Sequence, residues 1–325
     1  MSDKPIIIGT RGSALALAQS NMIAAQCRAA FPKLTFELKI IKTTGDKLQT
    51  ASMAQGELPK GLFTKELEVA LLDGRVDLCV HSLKDLPTEL PEGLMLGAVS
   101  KRVDVRDVLI YRDATHFKDA AKSGLRGFGP HLSAKDLPQG AVVATSSTRR
   151  RAQLLAMRPD LKAIEIRGNV ATRMQKLAAQ PEMDATILAF AGLTRLGYQL
   201  TPDGRIAGKD VPAGLFASIM DVDSMLPCVG QAAIGIETRT NDERIEKVCA
   251  SLNDYPSFQC VTAERAFLAG MGGGCLAPVA SYAEAVGDQI QMRAVSFMHG
   301  YKRTEAKRSI KEAAELGADI ATKLK

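Results

Sequence analysis

Twice along this chain a short apolar run gives way to a helical stretch and then to another apolar run, and the second series starts afresh after an irregular interval. Ile6–Thr10 reads as a buried strand, and Ser13 opens an Ala/Leu-rich helix through about Arg28. A strand over Leu34–Lys42 follows, then a helix over 62–72 with Phe63, Leu67, Ala70 and Leu71 on one face. Val76–Val80, Gly93–Val99 and Asp107–Tyr111 are further strands. The second series runs strand 141–145, helix from Ser147, strand 163–166, helix from Val170 and strand 184–189. Successive β-α-β sets predict two α/β domains facing each other across a cleft. Arg112 to Gln139 and Gly197 to Val222 read as irregular insertions. After Thr240, two helices, three strands and a last helix over 310–324 predict a small C-terminal α+β domain.

Arginines gather where the strands of the second series hand over to helices. Arg149, Arg150 and Arg151 follow Thr145-Ser146-Ser147-Thr148, Arg167 and Arg173 flank Gly168-Asn169, and Arg195 follows Leu193-Thr194. In an α/β sheet the carboxyl ends of strands line the ligand crevice, and helix N-termini there offer free N–H groups. Guanidinium adds a planar fork for carboxylate or phosphate. The net charge of +6 points the same way, toward an anionic partner. Aromatics at 5% and the absence of tryptophan argue against a single-strand nucleic-acid binder, which needs stacking platforms. A small polyanion fits better.

Other classes find little support. No run nears the ~20 apolar residues of a membrane span, and Met1-Ser2-Asp3-Lys4-Pro5 is no signal peptide, so a cytoplasmic location is expected. The six cysteines form no Cys-x-x-Cys pair and the four histidines no metal-binding spacing, so no metal is expected. Thr10-Arg11-Gly12-Ser13 and Thr145 to Arg150 are two versions of one device, hydroxyl plus arginine at a helix start; Ser13 and Ser147 serve equally as simple N-caps. His81-Ser82-Leu83-Lys84-Asp85 leaves a strand at the presumed cleft, where Asp85 is either a proton-handling carboxylate or an ordinary capping one. Cys275, after Gly272-Gly273-Gly274, is either a reactive thiol in a flexible loop or a small residue at a turn. The polar segment Gln49 to Lys60 is either a mobile lid or a solvated connector.

Taken in order, these motifs resemble the porphobilinogen deaminase (hydroxymethylbilane synthase) family. Carrying the likeness are Gly9 to Gln19, Lys60 to Glu68, Val80 to Pro87, Thr145 to Arg150, Leu161 to Arg173, Ala189 to Arg195, Thr262 to Arg265 and Gly273 to Cys275. The resemblance implies two α/β domains of the type II periplasmic-binding-protein kind plus a small C-terminal α+β domain. Their expected bounds are 1–103 plus 230–250, 104–229, and 251–325. It implies a dipyrromethane cofactor on Cys275, onto which four porphobilinogens are added with loss of ammonia before hydroxymethylbilane is released. Asp85 matches the catalytic aspartate, which assists ammonia loss and stabilises the cationic azafulvene. Asp85 itself, Lys84, Ser82, Ser147, Arg149, Arg150 and Arg173 match positions that hold the cofactor. Arg11, Ser13, Arg149, Arg167, Arg173 and Arg195 match positions that hold substrate carboxylates, and Lys60 belongs to the lid. Arg151 has no such match. A monomer, without nucleic-acid or membrane partners, is implied.

The chain departs from the family's pattern in places. Leu58-Pro59 replaces Gly-Gly before Lys60, and Gly230-Gln231-Ala232 replaces Gly-Gln-Gly; extra residues lie around 112–135 and 200–222. A periplasmic-type anion binder, a basic nucleic-acid module and a thiol hydrolase are the competing readings. The first needs neither Cys275 nor its loop, and the last wants a histidine partner that the sequence does not supply.

Overall fold

The computed structural model describes residues 4–48, 62–118, 124–272, 274 and 276–325. Lys60 and Cys275 therefore lie outside the described residues, as do Leu58-Pro59 and the rest of the expected lid.

The first sheet begins with β1 (Ile6–Thr10), followed by α1 (Ala14–Ala30), β2 (Phe36–Ile40), α2 (Thr44–Leu48), α3 (Lys65–Leu72), β3 (Leu78–Ser82) and β4 (Leu94–Val99). Helix α1 starts where Ser13 Oγ accepts the Ala16 N–H at 3.3 Å. Its inner face, with Ile23, Ala24 and Cys27 fully buried, packs on β1 and β3. The chain then crosses into a second sheet, β5 (Asp107–Arg112), β6 (Val142–Ala144), α4 (Thr148–Met157), β7 (Lys162–Ile164), α5 (Val170–Ala179), β8 (Ala185–Ala189) and α6 (Phe190–Arg195). A short hairpin, β9 (Gln199–Leu200) and β10 (Ile206–Ala207), leads to β11 (Leu215–Ile219), and the chain returns as β12 (Ile234–Arg239).

Strand order shows what the return does. The first sheet runs β2-β1-β3-β12-β4 and the second β7-β6-β8-β5-β11. In each, three parallel strands meet one antiparallel strand that has crossed over from the other half: β12 lies antiparallel between β3 and β4, and β5 antiparallel between β8 and β11. This shared 2-1-3-n-4 order is the type II periplasmic-binding-protein arrangement, as expected. Every residue of β5 is buried, as a strand covered on both faces requires.

The expectation of irregular chain over 197–222 is corrected here. β11 is a full edge strand, with Phe216 opposite Tyr111 and Ser218 opposite Leu109. Its Gly214 and Met220-Asp221 flanks resemble loop, and only the distant partner β5 makes it a strand.

After β12 comes α7 (Glu243–Leu252), and the third unit then comprises α8 (Tyr255–Gly270), the antiparallel meander β13 (Val279–Val286), β14 (Gln289–Ser296) and β15 (Lys302–Ser309), and α9 (Ala313–Leu324). Helix α7 packs back on the first sheet through Ile245, Val248 and Leu252. Helices α8 and α9 share a core with the meander, and they approach so closely that a Cβ on Gly317 would stand 2.0 Å from the Ala263 carbonyl. Among the described residues no helix is long and apolar enough to cross a membrane.

Candidate active site

The parallel strands aim their carboxyl ends at one region. β1 delivers Arg11 and Ser13, and β3 delivers Ser82 and, through the 3₁₀ turn Leu83–Asp85, Lys84 and Asp85. Together with Gln19, Phe63, Thr64 and His81, Arg11, Ser13, Ser82 and Asp85 line one small, open cleft. Asp85 is exposed. Ser82 Oγ donates to Gln19 Oε1 at 2.9 Å, which leaves the Gln19 amide nitrogen buried and without a partner. Arg11 is held from behind, stacked 4.2 Å from the centre of the Phe63 ring and paired with Asp46 at 2.5 Å. The Asp46 carboxyl lies below its ordinary value because its bonds to Arg11 and Thr43 outweigh burial.

From the second sheet, Ser147 caps α4 by accepting the Arg150 N–H at 3.4 Å, and Asn169 caps α5 by accepting the Thr172 N–H at 2.9 Å. The first helical turn of α4 then places Arg149 and Arg150 against Asp107, which opens β5 and is wholly buried. Arg149 donates to Asp107 Oδ2 at 2.8 Å and to the Leu226 carbonyl at 2.6 Å. Arg150 donates to both Asp107 oxygens, at 3.2 and 2.8 Å, and to the Ile187 carbonyl at 2.9 Å. Gln231 adds a fourth donor to Asp107 at 2.9 Å. The two guanidiniums overcome burial and hold the Asp107 carboxyl far below the usual carboxylate range. One aspartate thus anchors two cations whose charges together exceed its own.

Further cations stand close to this pair. Burial pulls Lys84 below lysine's ordinary value, Asp85 opposes the shift, and Arg150 adds repulsion. Burial lowers Arg173 to about 10, helped by Arg150. Burial also lowers Arg195 to about 10. Arg173 makes one described bond, Nε to the Gly168 carbonyl at 2.8 Å, and Arg195 reaches the Ala232 carbonyl at 2.6 Å. The Nε atoms of Arg149 and Arg195 are buried without partners. Half-dry guanidiniums with spare donors and a lowered pKa are groups short of an anion. Such groups can pair with carboxylates.

Arg167 is exposed and pairs loosely with Glu165 at 3.4 Å. Arg151 is exposed on α4. Sequence reasoning missed Asp107, Gln231, Asp46 and Gln19, whose roles arise from partners far along the chain. It also missed a contact from the third unit: Thr148 Oγ1, at the N-terminus of α4, donates to the Leu276 carbonyl at 2.7 Å.

The porphobilinogen deaminase "dipyromethane cofactor binding domain" matches residues 6–247, and the corresponding C-terminal domain matches residues 258–325. The porphobilinogen deaminase of Syntrophomonas wolfei is 41% identical, over 98% of this chain and 94% of its own length. That of Thermus thermophilus is 40% identical, over 97% and 94%. Among solved structures, the BenM effector binding domain is similar with 18% identity and a TM-score of 0.42, over 84% of this chain and 95% of its own. The likeness runs over nearly the full length of both relatives, and the chain belongs to the porphobilinogen deaminase family, transferases that build hydroxymethylbilane from four porphobilinogens on a dipyrromethane cofactor.

Proposed function

We propose that Asp85 is the carboxylate that handles each condensation and that Cys275 anchors the cofactor. Lys84, Ser82, Ser147, Arg149, Arg150 and Arg173 hold the cofactor's side chains, and Arg11, Ser13, Arg149, Arg167, Arg173 and Arg195 receive substrate carboxylates. The contact from Thr148 to Leu276 carries this reading, because it ties the residue after Cys275 to the arginine-bearing end of α4. A group bearing several carboxylates fits what stands around it, namely the partly dehydrated Arg173 and Arg195 and the unpartnered Nε–H donors of Arg149 and Arg195. When bound, the dipyrromethane supplies a nucleophilic pyrrole α-carbon and a fixed primer.

The chain's own residues supply the rest. Arginine forks hold the acetate and propionate groups of incoming porphobilinogen, and Asp85 stands where it can pair with a developing cation. Asp85, open to solvent at the cleft mouth, moves the proton that must accompany departing ammonia. Lys60 belongs to the lid in this reading. The domains are proposed as 1–103 with 230–250, 104–229, and 251–325, in a monomeric cytoplasmic enzyme that needs neither nucleic acid nor membrane.

Intact-protein mass tests the assignment. Purified chain, or apoprotein incubated with porphobilinogen, should exceed the bare polypeptide by two porphobilinogens less two ammonias. Cys275→Ser should stay bare, and Asp85→Asn should load yet turn over poorly. A loaded Cys275→Ser would remove the anchor assignment, and near-normal turnover of Asp85→Asn would remove that residue from the mechanism.

A further inference from the structure

Below the cleft lies a buried acid–imidazole pair that the proposed mechanism does not use. His81 on β3 and Glu237 on β12 are diagonal neighbours across the antiparallel pair, since His81 stands opposite Gly235 and Glu237 opposite Cys79. His81 Nε2 and Glu237 Oε2 are 2.9 Å apart, with side chains 4% and 0% exposed. Glu237 Oε1 is buried without a partner, so the carboxylate spends its one described side-chain bond on the imidazole. A carboxylate there fixes the ring as the Nε2–H tautomer and leaves Nδ1 as the acceptor. The ring lines the same cleft as Asp85 and Arg11. Around it stand Glu237 on β12, Glu68 on α3, Cys79 on its own strand, and Asp85 and Arg11 at the cleft. A buried pair serving stability alone has no need to open on the reacting cavity, nor to leave a carboxylate oxygen unsatisfied at a cost of about 1–3 kcal/mol.

We infer that His81, oriented by Glu237, is a further proton-accepting residue of the condensation, in addition to Asp85. The inference rests on the reading of this cleft as the condensation site. In each coupling the bond between the methylene carbon and nitrogen breaks and releases ammonia, and a methylene–α-carbon bond forms. The α-carbon then sheds its proton to restore the aromatic pyrrole, its C–H electron pair returning to the ring. His81 takes that proton at Nδ1, the Glu237 carboxylate balances the imidazolium, and the proton passes on to ammonia as ammonium. No oxidant or further reactant is required.

Histidine-selective ¹⁵N NMR of the folded protein, with and without cofactor, reads the first part: His81 should show protonated Nε2 and bare Nδ1, and Glu237→Gln should abolish that preference. The second part is read by turnover against pH, using porphobilinogen with hydrogen or deuterium at the free α-carbon. Neutral imidazole is the acceptor, so wild-type turnover should fall on the acid side as the ring becomes protonated. His81→Asn should lower kcat by roughly 100-fold, leave KM and the mass of bound cofactor unchanged, lose that acid limb and enlarge the deuterium effect. An unchanged limb and isotope effect would overturn the inference. Should His81→Asn not fold, Glu237→Gln decides by the same two readings. Wild-type protein that never loads cofactor would instead defeat the parent reading of the cleft, whatever the histidine does.

Discussion

A buried aspartate sets the chemistry of the arginines that made this chain readable. Arg149 and Arg150 look from sequence like hands extended to a ligand, yet both are anchored on Asp107. They serve two ends, fixing α4 to β5 and projecting surplus positive charge. Truncating either strips a buried carboxylate of one charge-assisted partner, a loss of about 1.5–3 kcal/mol. We therefore expect Arg149→Ala to melt markedly lower and to remain apoenzyme. Arg173→Ala, with one backbone bond to lose, should lower cofactor loading while its melting point stays near wild type. Thermal melts beside intact mass separate the two, and equal melting points would show that Asp107 does not depend on Arg149. The cations were legible because arginines at strand ends are few and their positions meaningful. Asp107 was not, being one of 36 acidic residues and 42 positions from its partner.

Among the elements, most helices were read from local pattern, whereas β11 and β12 were not read as strands. Ser13, Ser147, Asp242 and Asp254 all cap helices through their side chains, a signal written within four residues. β11 and β12 depend on partners more than a hundred residues earlier, β5 for one and β3 for the other, and their sequences carry Gly, Ser, Glu and Thr that propensity alone leaves undecided. The link into β12 also bears a measurable strain. Ala232 sits at φ +68°, in the left-handed region, where the family's pattern has glycine. The side-chain penalty of about 1–2 kcal/mol there exceeds the unfolded-chain entropy that glycine restores, about 0.4–1 kcal/mol. Ala232→Gly should therefore gain about 0.5–1 kcal/mol by that difference, read as a higher denaturation midpoint at unchanged slope. A loss of stability would mean that the Ala232 methyl, packed with Val105 and Ala191, matters more than its backbone.

For the whole molecule, one carboxylate joins three parts of the fold. Glu264 on α8 is fully buried and accepts both Arg102 Nη groups at 2.6 and 3.0 Å, the Gly230 N–H at 2.8 Å and the Ala283 N–H at 2.9 Å. Those partners belong to the outgoing link, the returning link and the C-terminal meander. Arg265 beside it bonds the carbonyls of Leu86, Pro87 and Thr88, steadying the loop that follows Asp85. Glu264→Gln should destabilise the protein by about 3–5 kcal/mol, because Arg102 would remain buried and charged. Faster proteolysis within 100–106 and 220–233 should accompany the loss, and a wild-type cleavage pattern would show that the links hold without Glu264.

The crossed-over strands also set a timetable for making the protein. β4 is synthesised by residue 99, but the strand that separates it from β3 does not exist until residue 239. At about 5–20 residues per second, ribosomal elongation leaves a pause on the order of ten seconds. Throughout it, β3 offers an unpaired edge flanked by buried apolar residues, which is a template for wrong pairing. The N-terminal half of a nascent chain is thus a client for chaperones until β12 emerges, and shortened chains ending before residue 234 should aggregate where the full chain does not.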